Sequence, residues 1–183
     1  MPSHWENAMS SSDAAGNVCC VDRPGSIIMG LETKAPPEEL PRIVPRKWEE
    51  LGAALEQISG RVGDSFFGVF PAADQVRRGA GRFTYIVGVA VSDEGQAPDG
   101  FVRVRVQPGS FARGRIRGDQ TAIFETYHRV HEWVRENGRE IDPERIGFEH
   151  FAPARQDALA FAHGAQWFDY DIYLPLKPES DSR

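Results

Sequence analysis

The feature that most restricts how this chain can fold is that part of it is written twice. Cys20-Val21-Asp22-Arg23-Pro24-Gly25-Ser26-Ile27 has a counterpart in Val104-Arg105-Val106-Gln107-Pro108-Gly109-Ser110-Phe111, with the shared Pro-Gly-Ser step 84 residues further on. Phe83-Thr84-Tyr85-Ile86-Val87-Gly88-Val89-Ala90-Val91 is echoed by Phe168-Asp169-Tyr170-Asp171-Ile172-Tyr173-Leu174-Pro175-Leu176 at an offset of 85 residues. Two matches at nearly one offset predict a duplicated unit. The halves fall at 17–91 and 101–177, and the Asp-, Gly- and Pro-bearing stretch 92–100 reads as a linker. Such units are expected to pair about a pseudo-two-fold axis, with a cleft where they meet.

Each half parses alike. In the first, strands are predicted over 18–22, 27–33, 66–70 and 83–91, with a polar loop at 72–81. Val44, Trp48, Leu51, Leu55 and Ile58 recur at helical spacing and predict a helix over 45–59, opened by Pro45 and closed by Gly60. The second half repeats the order with strands over 101–106, 110–116, 148–151 and 167–176, and a loop at 153–166. Its helix carries an apolar stripe of Ile123, Tyr127, Val130 and Val134, starts at an Asp119 cap and stops at Asn137-Gly138. The fold class is α+β: a duplicated β-α-β-β unit with antiparallel sheets and one long helix per repeat. Residues 1–16 are expected to be a disordered lead-in and 178–183 a polar tail.

The stretch with the most chemistry is Gly147-Phe148-Glu149-His150-Phe151. It is too short and too aromatic for a helix, and strand alternation puts Phe148 and His150 on one face, Glu149 and Phe151 on the other. If Glu149 points inward, it is a carboxylate among aromatics, which stays protonated or recruits a cation. The opposing reading is an exposed Glu149, or one paired with Arg155. Glu149 aligns with Gly68 in the first half, an absent side chain that would leave room for a ligand.

Composition removes several functions. A net charge of -6 argues against a nucleic-acid face, even though Arg113, Arg115 and Arg117 alternate beside Arg103 and Arg105; that stripe reads as a wet sheet face. No apolar run approaches membrane-spanning length and residues 1–16 lack a signal peptide's apolar segment, so a cytoplasmic protein is expected. Adjacent Cys19 and Cys20 point to opposite faces of a strand and are expected to be reduced thiols. His128 and His131, with Glu125 and Glu132, lack metal-binding geometry and read as a solvated helix face; no metal and no cofactor are expected. Gly79-Ala80-Gly81 has no strand-to-helix context for a phosphate loop.

Taken in order, Pro24-Gly25, Trp48-Glu49-Glu50-Leu51, Tyr85-Ile86-Val87-Gly88-Val89, Tyr127 with Trp133, Phe148-Glu149 and Asp171-Ile172-Tyr173-Leu174-Pro175-Leu176 resemble the GyrI-like small-molecule-binding domain, also called the AraC-type effector-binding domain. The likeness runs from about Val18 to Lys177. It implies an aromatic cleft between the repeats with a buried glutamate, here Glu149, and with Trp48, Tyr85, Tyr127, Tyr173 and Phe151 around it. The ligand it implies is a lipophilic cation or an aromatic natural product. Residues 1–16 are too short for a helix-turn-helix module, so a standalone binding protein without direct nucleic-acid contact is expected. Two rivals come with the family. One is a hydrolase of cyclopropane-bearing toxins, with Glu149, Tyr85 and Tyr127 as its catalytic groups. The other is an inhibitor acting on a protein partner, gyrase or a regulator.

Overall fold

The computed structural model of the protein describes residues 17–76 and 81–179. The elements run β1 (Cys19–Arg23), β2 (Ser26–Ala35), α1 (Leu40–Ala54), β3 (Arg61–Pro71), α2 (Ala72–Val76), β4 (Phe83–Val91), β5 (Val102–Val106), β6 (Gly109–Gly118), α3 (Gln120–Glu136), β7 (Ile146–Phe151) and β8 (Phe168–Pro175). The expected lead-in over 1–16, the end of the tail at 180–183 and residues 77–80 of the first loop lie outside the described residues.

The architecture is α+β, and the strands join into one curled antiparallel sheet rather than two, in the order β1-β6-β8-β7-β3-β4-β2-β5. This order reads the same from either edge when β1–β4 are exchanged for β5–β8. The outermost strands cross over: β1 lies against β6 and β5 against β2. At the centre β3 meets β7, with Phe67 opposite His150 and Gly68 opposite Glu149.

Both long helices pack on one face. α1 rests on β2 and β4, α3 on β6 and β8, and the central β3–β7 pair runs between them. Trp48 and Leu51 from α1 join Val130 and Val134 from α3 in a single core with Val87, Ile116 and Ile172. The other face, inside the curl, holds a second apolar cluster of Ile28, Phe67, Val69, Ile86, Val106, Phe111, Phe148 and Tyr173. Here the crossed-over turns meet, so that a side chain on Gly25 would stand 3.1 Å from Pro108.

Local chemistry accounts for the boundaries and for three departures from expectation. Asp119 caps α3 by accepting from the Thr121 N–H at 2.9 Å, and Gly138 at φ 62° ends it. α1 begins at Leu40 instead of Pro45, because Pro41 occupies the first turn and Pro45 is accommodated inside the helix. It stops at Ala54, and the expected last turn tightens into a 3-10 turn over Leu55–Gln57 before Ile58 becomes extended. The expected loops 72–81 and 153–166 contain helical turns, α2 and a 3-10 helix over Ala158–His163. The latter docks on α1, where Gly52 leaves space for Leu159.

Close approach of α3 to the sheet depends on Gly114 of β6. A Cβ there would lie 2.5 Å from Val130 Cγ2 and 3.1 Å from Thr126 Cγ2. Gly114→Val should therefore push the helix outward and destabilise the protein by about 2 kcal/mol. In a domain this size that lowers the thermal midpoint by about 2–4 °C per kcal/mol. An unchanged midpoint in calorimetry would show that the helix does not depend on this contact.

Candidate functional site

Glu149 points toward the helices, from the middle of the central strand pair, and is 6% exposed. Three tyrosyl hydroxyls donate to its carboxylate. Tyr85 reaches Oε2 in a short hydrogen bond, Tyr127 reaches Oε1 at 3.0 Å and Tyr170 reaches Oε1 at 3.3 Å. Strand register places two of these. Val87 is opposite Gly68 and Ile172 opposite Glu149, so Tyr85 and Tyr170, two residues along, share their face as diagonal neighbours. Tyr127 is contributed by α3. No arginine or lysine among the described residues forms an ion pair with Glu149.

Electrostatically the cluster is a desolvated carboxyl group held by neutral donors. Burial pushes the Glu149 carboxyl above the usual carboxylate range, and the three tyrosyl hydrogen bonds oppose this without cancelling it. Burial, and next to it the facing Glu149 carboxylate, holds the Tyr85, Tyr127 and Tyr170 hydroxyls well above their ordinary value. All three remain donors at neutral pH. Tyr85 and Tyr127 are only half-buried, so the cluster meets solvent through them.

An aromatic wall stands beside the acid. Phe151 lies 4.5 Å from Tyr170 and 5.4 Å from Trp48 between ring centroids, and Phe161 of the docked 3-10 helix closes on Phe151 at 5.3 Å. Phe70 faces Tyr127 at 6.5 Å. Of the residues singled out in sequence, Glu149, Tyr85 and Tyr127 are in direct contact, with Phe151 and Trp48 behind them.

Tyr173 is not among them. It stands on the opposite face of β8, stacked on Phe148 at 4.5 Å and 12°. The third tyrosine is Tyr170, missed in sequence although alternation held the signal: if Ile172 lies beside Glu149, Tyr170 shares its face and Tyr173 does not. Gly68 also plays a different part from the one expected. The volume a side chain would fill there is taken by the Tyr85 hydroxyl and the Glu149 carboxylate, so this glycine lets acid and phenol meet.

The alternative pairing of Glu149 with Arg155 does not occur. Arg155 binds Asp171 at 2.5 Å and Asp169 at 3.5 Å, inside the curl. The basic stripe on β6 is correspondingly less wet than expected, since Arg113 pairs with Asp171 at 3.2 Å and Arg115 with Asp169 at 2.9 Å. His128 and Glu132 lie 3.3 Å apart on an exposed helix face, and no metal-binding cluster occurs among the described residues. Cys19 and Cys20 are free thiols. None of the described helices is long and apolar enough to cross a membrane.

Comparison with known proteins agrees with this architecture. Among solved structures, SAV2435 bound to tetraphenylphosphonium is 10% identical over 88% of this chain and 94% of that chain, with a TM-score of 0.61. The C-terminal domain of EcmrR is 14% identical over 88% and 97%, with a TM-score of 0.63. A hydrolase from Listeria innocua is 11% identical over 89% and 93%, with a TM-score of 0.50. Likeness at these identities speaks to the fold. No curated protein matches the chain in sequence. The GyrI-like small molecule binding domain matches residues 17–177, nearly the whole chain, with its curled sheet and paired helices; the protein belongs to that family.

Proposed function

We propose that this chain binds amphipathic small molecules bearing a delocalised positive charge, at the central strand pair between α1 and α3, with Glu149 as the counter-ion. The observation that carries this reading is a buried carboxylate with which no cationic side chain among the described residues forms an ion pair. Leaving an anion desolvated costs the fold stability, and a bound cation offsets that cost only when one is present. The surrounding rings favour a bulky, weakly hydrated cation over a compact ammonium. Each face-on aromatic contributes roughly 0.5–2 kcal/mol through its quadrupole.

The tyrosines fit the same role. Their hydroxyls hold the carboxyl group in place without an ion pair, so it stays available to a ligand entering past the partly exposed Tyr85 and Tyr127. Trp48 and Phe151 supply the apolar wall. Tetraphenylphosphonium, bound by SAV2435, belongs to the class this chemistry selects and serves as the probe.

Glu149→Gln keeps the shape and removes the charge. It should weaken tetraphenylphosphonium binding by about 10–100-fold, corresponding to ~1.5–3 kcal/mol for one charge interaction. Neutral triphenylphosphine oxide should be barely affected. Titration calorimetry on both ligands decides, and an equal loss for each would remove the electrostatic basis of the reading. Conversion of an electrophilic ligand, followed by mass spectrometry and abolished by Glu149→Gln, would assign a hydrolase instead.

The raised Glu149 pKa has a signature in stability. Its contribution is fully present below the unfolded value of about 4.3 and is lost as pH rises through the higher folded value. His150, brought down to about 4 by burial and then by Arg23, works the other way. Its contribution is lost as pH falls from about 6.5. Comparing wild type with Glu149→Gln removes the shared histidine effect. Wild type should lose stability relative to the variant as pH rises from about 4 to 8, read from urea midpoints. A constant difference across the series would mean that the acid is not desolvated.

A further inference from the structure

The inner face of the curl carries a hollow separate from the Glu149 cluster. Its volume is about 680 Å³, within the range of small-molecule sites. Arg23, Arg113, His150, Arg155, Asp171 and Tyr173 line it, and Val21 with Ala152 and Pro153 form an apolar wall. It backs onto the first site through one thickness of sheet: Glu149 and His150 are neighbours on β7, as are Tyr170 and Asp171 on β8, and each pair faces opposite ways.

Charges in this hollow are unequally committed. Asp171, whose side chain is 3% exposed, is shared by Arg113 at 3.2 Å and Arg155 at 2.5 Å. Arg23 is different. Its guanidinium lies 5.2 Å above the Tyr173 ring, and it makes no ion pair or side-chain hydrogen bond among the described residues. This cation–π contact leaves the guanidinium N–H groups without a carboxylate partner among the described residues. Two further carboxylates stand at the rim. Asp22 accepts the Ser110 hydroxyl at 2.6 Å, and Asp64 is exposed to solvent.

We propose that this hollow is a second binding site, specific for small organic carboxylates, with Arg23 as the group that receives the anion. A planar guanidinium matches a carboxylate with two parallel N–H···O bonds. One uncommitted cation suits a single negative charge, whereas a dianionic phosphate would meet the nearby Asp171 with nothing to offset its second charge. Val21, Ala152 and Pro153 accommodate an apolar body. His150, neutral at pH 7, adds no charge of its own.

The test uses the full chain, with 2-naphthoate and its neutral amide, 2-naphthamide, as probes in titration calorimetry. Naphthoate should bind at least tenfold more tightly than naphthamide. Arg23→Met should abolish that preference by weakening naphthoate about tenfold while leaving naphthamide unchanged. Ala154→Trp, at an exposed position on the rim, should block the hollow and weaken both. Thermal melts establish that the variants are folded. No naphthoate binding, equal affinity for the two probes, or indifference to both substitutions would overturn the proposal. Tetraphenylphosphonium binding should be unchanged in either variant. A protein that takes naphthoate but not tetraphenylphosphonium would support this site and sink the cation reading, so the two proposals fail separately.

Discussion

The structure turns on a pairing at the middle of its sheet, where Glu149 of β7 lies opposite Gly68 of β3. A carboxylate in that position has lost its water, and the fold supplies neutral hydroxyls in exchange. Those hydroxyls come from β4, α3 and β8, so one acid draws together strands from both halves of the chain and one of the two long helices. The glycine is as necessary as the acid. Any side chain there would occupy the volume in which Tyr85 and Glu149 meet. The buried acid thus sits between the strands on which α1 and α3 make most of their sheet contacts.

Alternation gives the central strands two chemistries. On the helix side, Glu149, Phe151 and Tyr170 make an acidic, aromatic surface. On the inside of the curl, His150, Asp171 and Tyr173 meet the arginines of β1, β6 and the segment after β7. Among the described residues, the first face has a carboxyl group without a cationic partner, and the second has a guanidinium over a ring without an ion-pair partner. Opposite charge requirements are thereby kept apart by the backbone of one sheet, whose own polar groups are consumed in the strand ladder.

Much of this was legible in the sequence. Glu149 and Phe151 sharing a face follows from the two-residue period of a strand, and the α3 boundaries follow from an Asp cap and an Asn-Gly stop. What was not legible involves register. Tyr170 and Tyr173 are both tyrosines of one strand, and only the pairing of Ile172 with Glu149 decides which of them shares the acid's face. Arg155 is close to Glu149 in sequence yet turns to Asp169 and Asp171. The start of α1 is ambiguous in sequence because Pro45 can open a helix or be tolerated within one, and local propensity does not choose between these.

By itself the sequence determined the family and the α+β class, because each is encoded in short-range patterns and a near-constant offset; that Glu149 faces the helices came only from the tertiary structure. Tertiary structure alone decided who surrounds that acid, since hydrogen-bond partners come from cross-strand register and from how a helix is seated. It also decided that the strands form a single curled sheet with exchanged edges. Curling brings the two Pro-Gly turns together, and the arginine-lined hollow inside the curl draws its residues from β1, β3, β6, β7, β8 and the segment after β7 rather than from any local run.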